Sequence, residues 1–193
     1  MKLWLLRHGP PLVNSGTCYG ASDVPADPQA TLRAAQELAG QLPAGLALRS
    51  SPLRRCRQLA DALCALRPDF ACSEDPRLAE MDFGQWEGMR WDAIARAEFD
   101  AWMADFPGWR CGGGESVAQL MARVGQALAD TRRAGSDALW ITHGGVVRAV
   151  RLLAAGIALP QQAGDWPREG LAFGQAECIA LAPDDAAQSG ETP

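Results

Sequence analysis

Apolar and polar positions along this chain alternate between two periods, and the first element ends abruptly. Leu3 to Leu6 form an unbroken apolar run that stops at Arg7, His8 and Gly9. Such a run predicts a buried strand over Lys2 to Leu6. A polar loop bearing Gly and Pro follows, from His8 to about Asp27. In "TLRAAQELAGQL" the apolar residues stand at 32, 35, 38, 39 and 42, the spacing of a helix over 31–42. "GLALRSS" predicts a short strand at 46–50. "PLRRCRQLADALCAL" predicts a helix over 52–66, capped by Ser51 with Pro52 in its first turn. A short strand fits Phe70 to Ser73, whereas residues 76–115 show no period and are rich in tryptophan. "ESVAQLMARVGQALADTRR" restores the helical period over 115–133, Ala138 to Thr142 is again a buried strand, and "VVRAVRLLAAG" is the helix after it. "ECIALA" at 177–182 makes a last strand, with "LAF" at 171–173 as its candidate partner. From Pro183 onward the chain reads as a disordered tail.

Strands alternating with helices predict an α/β fold, a mostly parallel sheet flanked by helices on both faces. No repeat or linker interrupts residues 1–182, so a single domain is expected, carrying an irregular Trp-rich insertion at about 76–115. In sheets of this kind ligands bind outside the carboxyl ends of the strands. The chain has two histidines, His8 and His143, and each stands where a strand ends and is followed by glycine. Ser50 and Ser51 leave the second strand at the same edge, with Arg54, Arg55 and Arg57 just beyond. Sequence order alone therefore gathers two imidazoles, Arg7 and an arginine of the second helix at one crevice. Helical spacing does not choose among the three arginines.

The net charge of -5 gives no global field favouring nucleic acid or anionic lipid, so an anionic ligand needs a local cluster of cations. Lys2 is the one lysine, and every other cation is arginine, the planar fork that binds phosphate and carboxylate. A GC-rich coding bias explains the count of arginines, though not their placement. The N-terminal apolar run is too short for a signal-peptide core or a membrane span, and no later segment reaches membrane-spanning length. A cytoplasmic setting is expected. The six cysteines, at 18, 56, 64, 72, 111 and 178, form no CxxC pair. Neither a zinc knuckle nor a redox motif is present, and reduced thiols are expected.

Two imidazoles and two arginines over strand ends make a pocket for an oxyanion. Arginine supplies forked donors to phosphate oxygens, and Gly9 and Gly144 let backbone N–H groups come close to a ligand. A neutral imidazole is a competent nucleophile towards phosphorus, and a second imidazole, if cationic, would stabilise the equatorial oxygens of the transition state. The leaving alcohol then needs a proton donor, for which "LAEMDFGQWEG" offers Glu80, Asp82 and Glu87.

Five segments in order, "LRHG" at 6–9, "SSPLRRCRQLA" at 50–60, "LAEMDFGQWEG" at 78–88, "GGGES" at 112–116 and "THGGVVR" at 142–148, resemble the histidine phosphatase superfamily, in its phosphoglycerate-mutase-like branch. The resemblance spans nearly the whole chain and implies a phosphoglycerate-mutase-like three-layer sandwich. It implies that His8 is phosphorylated, that Arg7, Arg55 and His143 grip the phosphoryl group, and that Glu80 is the proton donor. It places Asn14 on the phosphate, with Thr17 and Gly20 lining the same loop and Gly144 beside the second imidazole. It implies a small phosphorylated metabolite as substrate and no cofactor, metal, nucleic acid or membrane. "GTCYGASDVPAD" and the short length most resemble the α-ribazole-phosphatase type of cobalamin biosynthesis. Pro10 and Pro11 depart from the family pattern and remove a hydroxyl and a backbone donor from the phosphate loop. Cys56 and Leu59 replace the usual alanine and threonine.

Blander roles compete with several of these. A histidine can simply fill a core, but a strand ending in Arg-His-Gly beside two prolines is an odd filler. Two histidines without HxH or HExxH spacing are a poor metal set. Arg148, one turn into the last helix, is expected to be a surface or packing arginine. Among Trp86, Trp91, Trp102 and Trp109, at least two are expected in the core and the others in a substrate cavity. "DFG" at 82–84 lacks the glycine-rich loop and HRD of a kinase. A mutase is the first rival, although only about 27 residues separate Gly88 from Ser116, where the family's mutases carry a longer insertion. A catalytically idle phospholigand-binding module is the second.

Overall fold

The computed structural model describes residues 1–182, and the tail expected from Pro183 lies outside the described residues. Five strands form one sheet: β1 (Lys2–Arg7), β2 (Ala47–Ser50), β3 (Ala71–Glu74), β4 (Ala138–Thr142) and β5 (Ala176–Ala180), in the order β3-β2-β4-β1-β5. The first four are parallel and β5 is antiparallel to β1. Five α-helices accompany them: α1 (Pro28–Ala39), α2 (Arg54–Leu66), α3 (Arg96–Ala104), α4 (Val117–Ala134) and α5 (Gly144–Ala154).

The apolar runs of β1 and β4 are unbroken because both faces are covered. Leu3 and Leu5, with Trp140, pack into a core shared with α4, α5 and the tryptophan-rich segment. Leu6, Leu139 and Ile141 point the other way, against α1 and α2. The alternation of the pleat thus sorts one continuous run into two cores, giving the expected three layers.

Helix ends depart from the hydropathy pattern where caps decide them. The helix α1 begins three residues early, because Asp27 accepts from the Ala30 N–H at 2.7 Å and Pro28 occupies the first turn. Glu115 stays outside α4, which opens on the capping box of Ser116 and Gln119 and closes on Gly135 at φ 68°. Ser51 is not the cap of α2. That helix starts at Arg54 after Leu53, and the Ser51 hydroxyl accepts from the Leu53 N–H while also reaching an imidazole. The helix after β4 starts at Gly144 rather than Val146, so His143 sits at its N-cap position. The segment 76–115 is not wholly irregular, for it contains α3 and several single 3₁₀ turns.

Two further expectations fail. The last strand does not pair with 171–173; it adds to the edge of β1, and the Gly174 N–H instead donates to the carbonyls of Arg7 and His8 at 3.1 Å. The reduced-thiol expectation fails for one pair, since Cys64 at the end of α2 and Cys72 on neighbouring β3 are joined as a disulfide. A search for CxxC spacing does not see two cysteines brought together by an αβ turn. Cys18, Cys56, Cys111 and Cys178 are free. Among the described residues no helix is long and apolar enough to cross a membrane.

Leu5 is fully buried in the larger core, so Leu5→Ala is expected to cost about 2–5 kcal/mol in chemical denaturation. A loss under about 1 kcal/mol would show that the face under β1 is not close-packed.

Candidate active site

Strand register assembles the site. Arg7 pairs with Thr142 and Ser50 with Ile141, so His8, Ser51 and His143 are the next residues out of three adjacent strands. The ladder continues one step further, with His8 N–H on Thr142 O at 3.1 Å and Ser51 N–H on Ile141 O at 2.9 Å. The two imidazoles end with ring centroids 5.0 Å apart, both buried.

Arg55 lies between them, 0% exposed. Its Nε–H is shared between His8 Nε2 at 3.3 Å and His143 Nδ1 at 3.2 Å, while its terminal nitrogens donate to Ser22 O at 2.7 Å and Gly20 O at 2.6 Å. No carboxylate is among its partners in the described residues. A buried cation without a counter-ion is costly, and this one marks a place prepared for an anion. The neighbours Arg54 and Arg57 are exposed, which is the choice that helical spacing left open.

The bonds also assign the protons. His8 Nδ1 lies 2.7 Å from the Gly9 carbonyl, so it carries the hydrogen and leaves a lone pair on Nε2, facing Arg55. His143 accepts from Arg55 at Nδ1 and therefore donates from Nε2 to Ser51 Oγ at 2.8 Å. Burial, then the charge of Arg55, pushes the His8 pKa down to about 3, and the same two causes hold His143 well below its ordinary value. Both imidazoles are neutral in the ligand-free site. The cationic form considered for His143 is absent there, and the positive charge belongs to the arginines.

Of the three candidate carboxylates, one is bound to the helix that His143 opens. Glu80 is half-buried and accepts from the Gly145 N–H at 3.0 Å, in the first turn of α5 next to His143. A Cβ on Gly145 would lie 2.2 Å from Glu80 Oε1, so the contact requires glycine there. Asp82 is exposed and caps a local turn. Glu87 is tied down by N–H groups of Gly20, Ala21, Ser22 and Phe83 and by the Ser22 hydroxyl. Burial alone would raise its pKa, but these bonds outweigh that and keep it low.

Arg123 on α4 fixes the loop that presents Glu80. It donates to the carbonyls of Arg77 and Ala79, both at 2.6 Å, and of Glu80 at 3.2 Å, and pairs twice with Glu115 at 2.7 and 2.9 Å. All five guanidinium hydrogens are thereby engaged.

Arg7, His8, Arg55, His143 and Gly144 are brought together, and a Cβ on Gly144 would lie 3.5 Å from Arg7 Cζ. Gly20 joins them through its carbonyl on Arg55. Asn14 and Thr17 do not join. Asn14 is exposed and lines, with Thr17, a separate surface depression, and among the described residues neither hydrogen-bonds to the imidazoles or the two arginines. Pro10 and Pro11 clip this loop to the chain before α1, with Pro10 O accepting from Asp27 N–H at 2.7 Å and Leu12 N–H on Pro25 O at 2.8 Å.

Several site residues carried no signal in the sequence. Ser51 looked like a helix cap. Tyr19 lies with its ring 5.4 Å from Arg55 Cζ, and Phe173 lies under Arg7 at 3.8 Å and beside His8. Arg148 is not a mere surface arginine, since it approaches Gly144 and lines a cavity with Glu80. Trp86 is core as expected and Trp102 reaches that cavity, as does Trp166, which was not considered.

A three-layer sandwich that holds a buried, carboxylate-free guanidinium between two imidazoles at its strand ends offers a site for an oxyanion. The model of the histidine phosphatase superfamily (branch 1) matches residues 3–167, and the chain belongs to that family. It is 34% identical to glucosyl-3-phosphoglycerate phosphatase of Mycolicibacterium vanbaalenii, over 94% of this chain and 84% of that protein. It is 36% identical to an acid phosphatase of Mycobacterium tuberculosis, over 77% and 73%. A crystal structure of a Thermus thermophilus protein superposes with a TM-score of 0.73 at 32% identity, over 95% of each chain. The native structure of a mycobacterial glucosyl-3-phosphoglycerate phosphatase superposes at 0.77 with 26% identity, over 92% and 88%. With named phosphatases as its relatives, the chain is a phosphoric monoester hydrolase. None of these relatives is named an α-ribazole phosphatase.

Two neutral buried histidines give stability a particular pH dependence. An unfolded histidine protonates near pH 6.5, whereas folded His8 resists protonation down to about 3. Between those values the unfolded chain binds more protons, so the contribution is full above pH 6.5 and is lost as pH falls. Thermal melting is expected to weaken already between about pH 6.5 and about 4.5, before most carboxylates titrate, with a flatter slope in His8→Asn. An unchanged slope in that variant would show that His8 is protonated in the folded protein.

Proposed function

We propose that this chain hydrolyses phosphomonoesters of small metabolites without a metal, through a phosphohistidine on His8. The observation that carries this reading is Arg55, a fully buried cation whose Nε–H addresses both imidazoles and which has no carboxylate partner among the described residues. A phosphate dianion supplies the missing charge, and Arg7 adds a second cation. The His8 Nε2 lone pair attacks phosphorus while the bond to the alcohol oxygen breaks, and that oxygen takes a proton from Glu80. Water then attacks the phosphohistidine, giving its proton to the Glu80 carboxylate. The P–N bond breaks, its electron pair returns to Nε2, and inorganic phosphate leaves. The sum is ester plus water to alcohol plus phosphate. The positive N-terminal end of α5 stabilises charge developing on the phosphoryl oxygens.

For substrates, the resemblance in "GTCYGASDVPAD" supports α-ribazole 5′-phosphate, and the Mycolicibacterium relative supports a phosphorylated glycerate. Phosphate release from both and from p-nitrophenyl phosphate, measured in EDTA, tests the reaction and ranks the esters. His8→Ala is expected to lower turnover by on the order of 10⁴-fold or more. Turnover that persists in that variant, or that EDTA abolishes, overturns the mechanism. Glu80→Gln is expected to slow alkyl phosphates by about 10²-fold or more and p-nitrophenyl phosphate far less, because p-nitrophenolate leaves without a proton. Equal losses on the two would count against Glu80 as the acid.

Arg123→Met should copy that leaving-group pattern at about 10- to 100-fold. Placed in the Glu80→Gln background, the same change should add little. Independent losses in the double variant would mean that Arg123 serves stability and not the placing of Glu80.

A further inference from the structure

Glu80 stands at the junction of two cavities, and the side chains around them differ in what they leave free. The open one, about 380 Å³, is lined by Asp82, Arg110, Glu115 and Arg123. Arg123 there uses all five donors, as above, while Arg110 holds the Gly114 carbonyl with its Nε at 2.6 Å. With Asp82 and Glu115 in its wall it sets carboxylates beside an anionic ester, and no aromatic side chain lines it.

The second cavity, about 150 Å³, opens between Glu80, Gly145 and Arg148 and runs beneath α3. Its wall is Phe83, Trp102, Phe106, Leu120 and Trp166. Trp102 stacks on Phe106 at 5.7 Å, and Phe106 meets Trp166 edge-on at 6.2 Å, so the rings brace one another into a fixed slot. Two donors at this cavity are unengaged among the described residues. The Trp102 Nε1–H is buried without an acceptor, and Arg148 uses only its Nε, on Pro167 O at 2.9 Å. An apolar slot with a few free polar groups at its mouth is the usual form of a small-molecule site. Its volume matches an engineered apolar cavity that takes one benzene.

We propose that this cavity is the leaving-group site and that it selects phosphomonoesters whose alcohol carries a flat apolar ring, with an oxygen of the alcohol portion held by Arg148. The assignment rests on the phosphatase reading, since Glu80 must protonate the departing oxygen at the cavity mouth. Arg148 and Arg7 both approach Gly144, where an added Cβ would lie 3.3 Å from Arg148 Nη1 and 3.5 Å from Arg7 Cζ, so the cavity opens beside the strand-end arginine. A polyhydroxylated alcohol would have to leave its water to enter a slot with so few partners, and it is disfavoured there.

The test compares kcat/KM for 2-phenylethyl phosphate and sn-glycerol 3-phosphate, two primary-alcohol esters of similar leaving ability, with p-nitrophenyl phosphate as a general control. The phenylethyl ester is expected to lead by about 10- to 100-fold, the value of burying one ring. Trp102→Ala should remove most of that ratio. Because that variant could fail to fold, 2-phenylethanol is also tested on the unmodified enzyme, where it should inhibit glycerol phosphate turnover competitively and glycerol should not. A ratio near one, or one favouring the glycerol ester, with p-nitrophenyl phosphate still turned over, overturns the cavity assignment and leaves the phosphatase reading standing. No turnover of any of the three esters overturns both.

Discussion

The site depends on one buried positive charge. Arg55 sits in the first turn of α2 with no exposure, held by two backbone carbonyls and two neutral imidazoles. Removing a guanidinium from water without a carboxylate partner is expensive, and the fold bears that expense only where an anion will be bound. Burial, with that charge as the second cause, keeps His8 and His143 unprotonated, which preserves the Nε2 lone pair of His8. Burying the cation and keeping His8 neutral are therefore a single arrangement. It is secured by the parallel register that places the ends of β1, β2 and β4 side by side.

The remaining machinery comes from two other sources. Glu80 is carried on a loop whose carbonyls are gripped by Arg123 from α4, and its carboxylate is received by the first turn of α5. The aromatic wall beside it is drawn from Phe83, α3 and Trp166 and belongs to the larger core. The strand-end cluster, Glu80 and the aromatic wall thus rest on different elements, and the cavity brings the last two together.

Much of the fold was legible because its signals are local. The apolar runs of β1 and β4, the helical period of α4 and the glycine after each histidine all lie within a few residues. A parallel sheet carries such features to one edge without further information. The segment 76–115 was illegible as structure, because short 3₁₀ turns have no period long enough to detect. The edge strand β5 was visible, but its partner was not: pairing to β1 is a contact across most of the chain.

The sequence by itself determined that Arg7, His8 and His143 gather at one edge of the sheet, since each sits at a strand end and inherits its position from it, whereas burial chose Arg55 over Arg54 and Arg57. Tertiary structure alone decided that Ser51 serves an imidazole and not a helix, and that Glu80 rather than Asp82 or Glu87 is bound by the first turn of α5. It also decided that Arg148, Trp102 and Trp166 share a cavity. The reason is physical. A strand end fixes direction locally, whereas a carboxylate in a loop or a ring in a wall takes its role from whatever distant side chains pack around it.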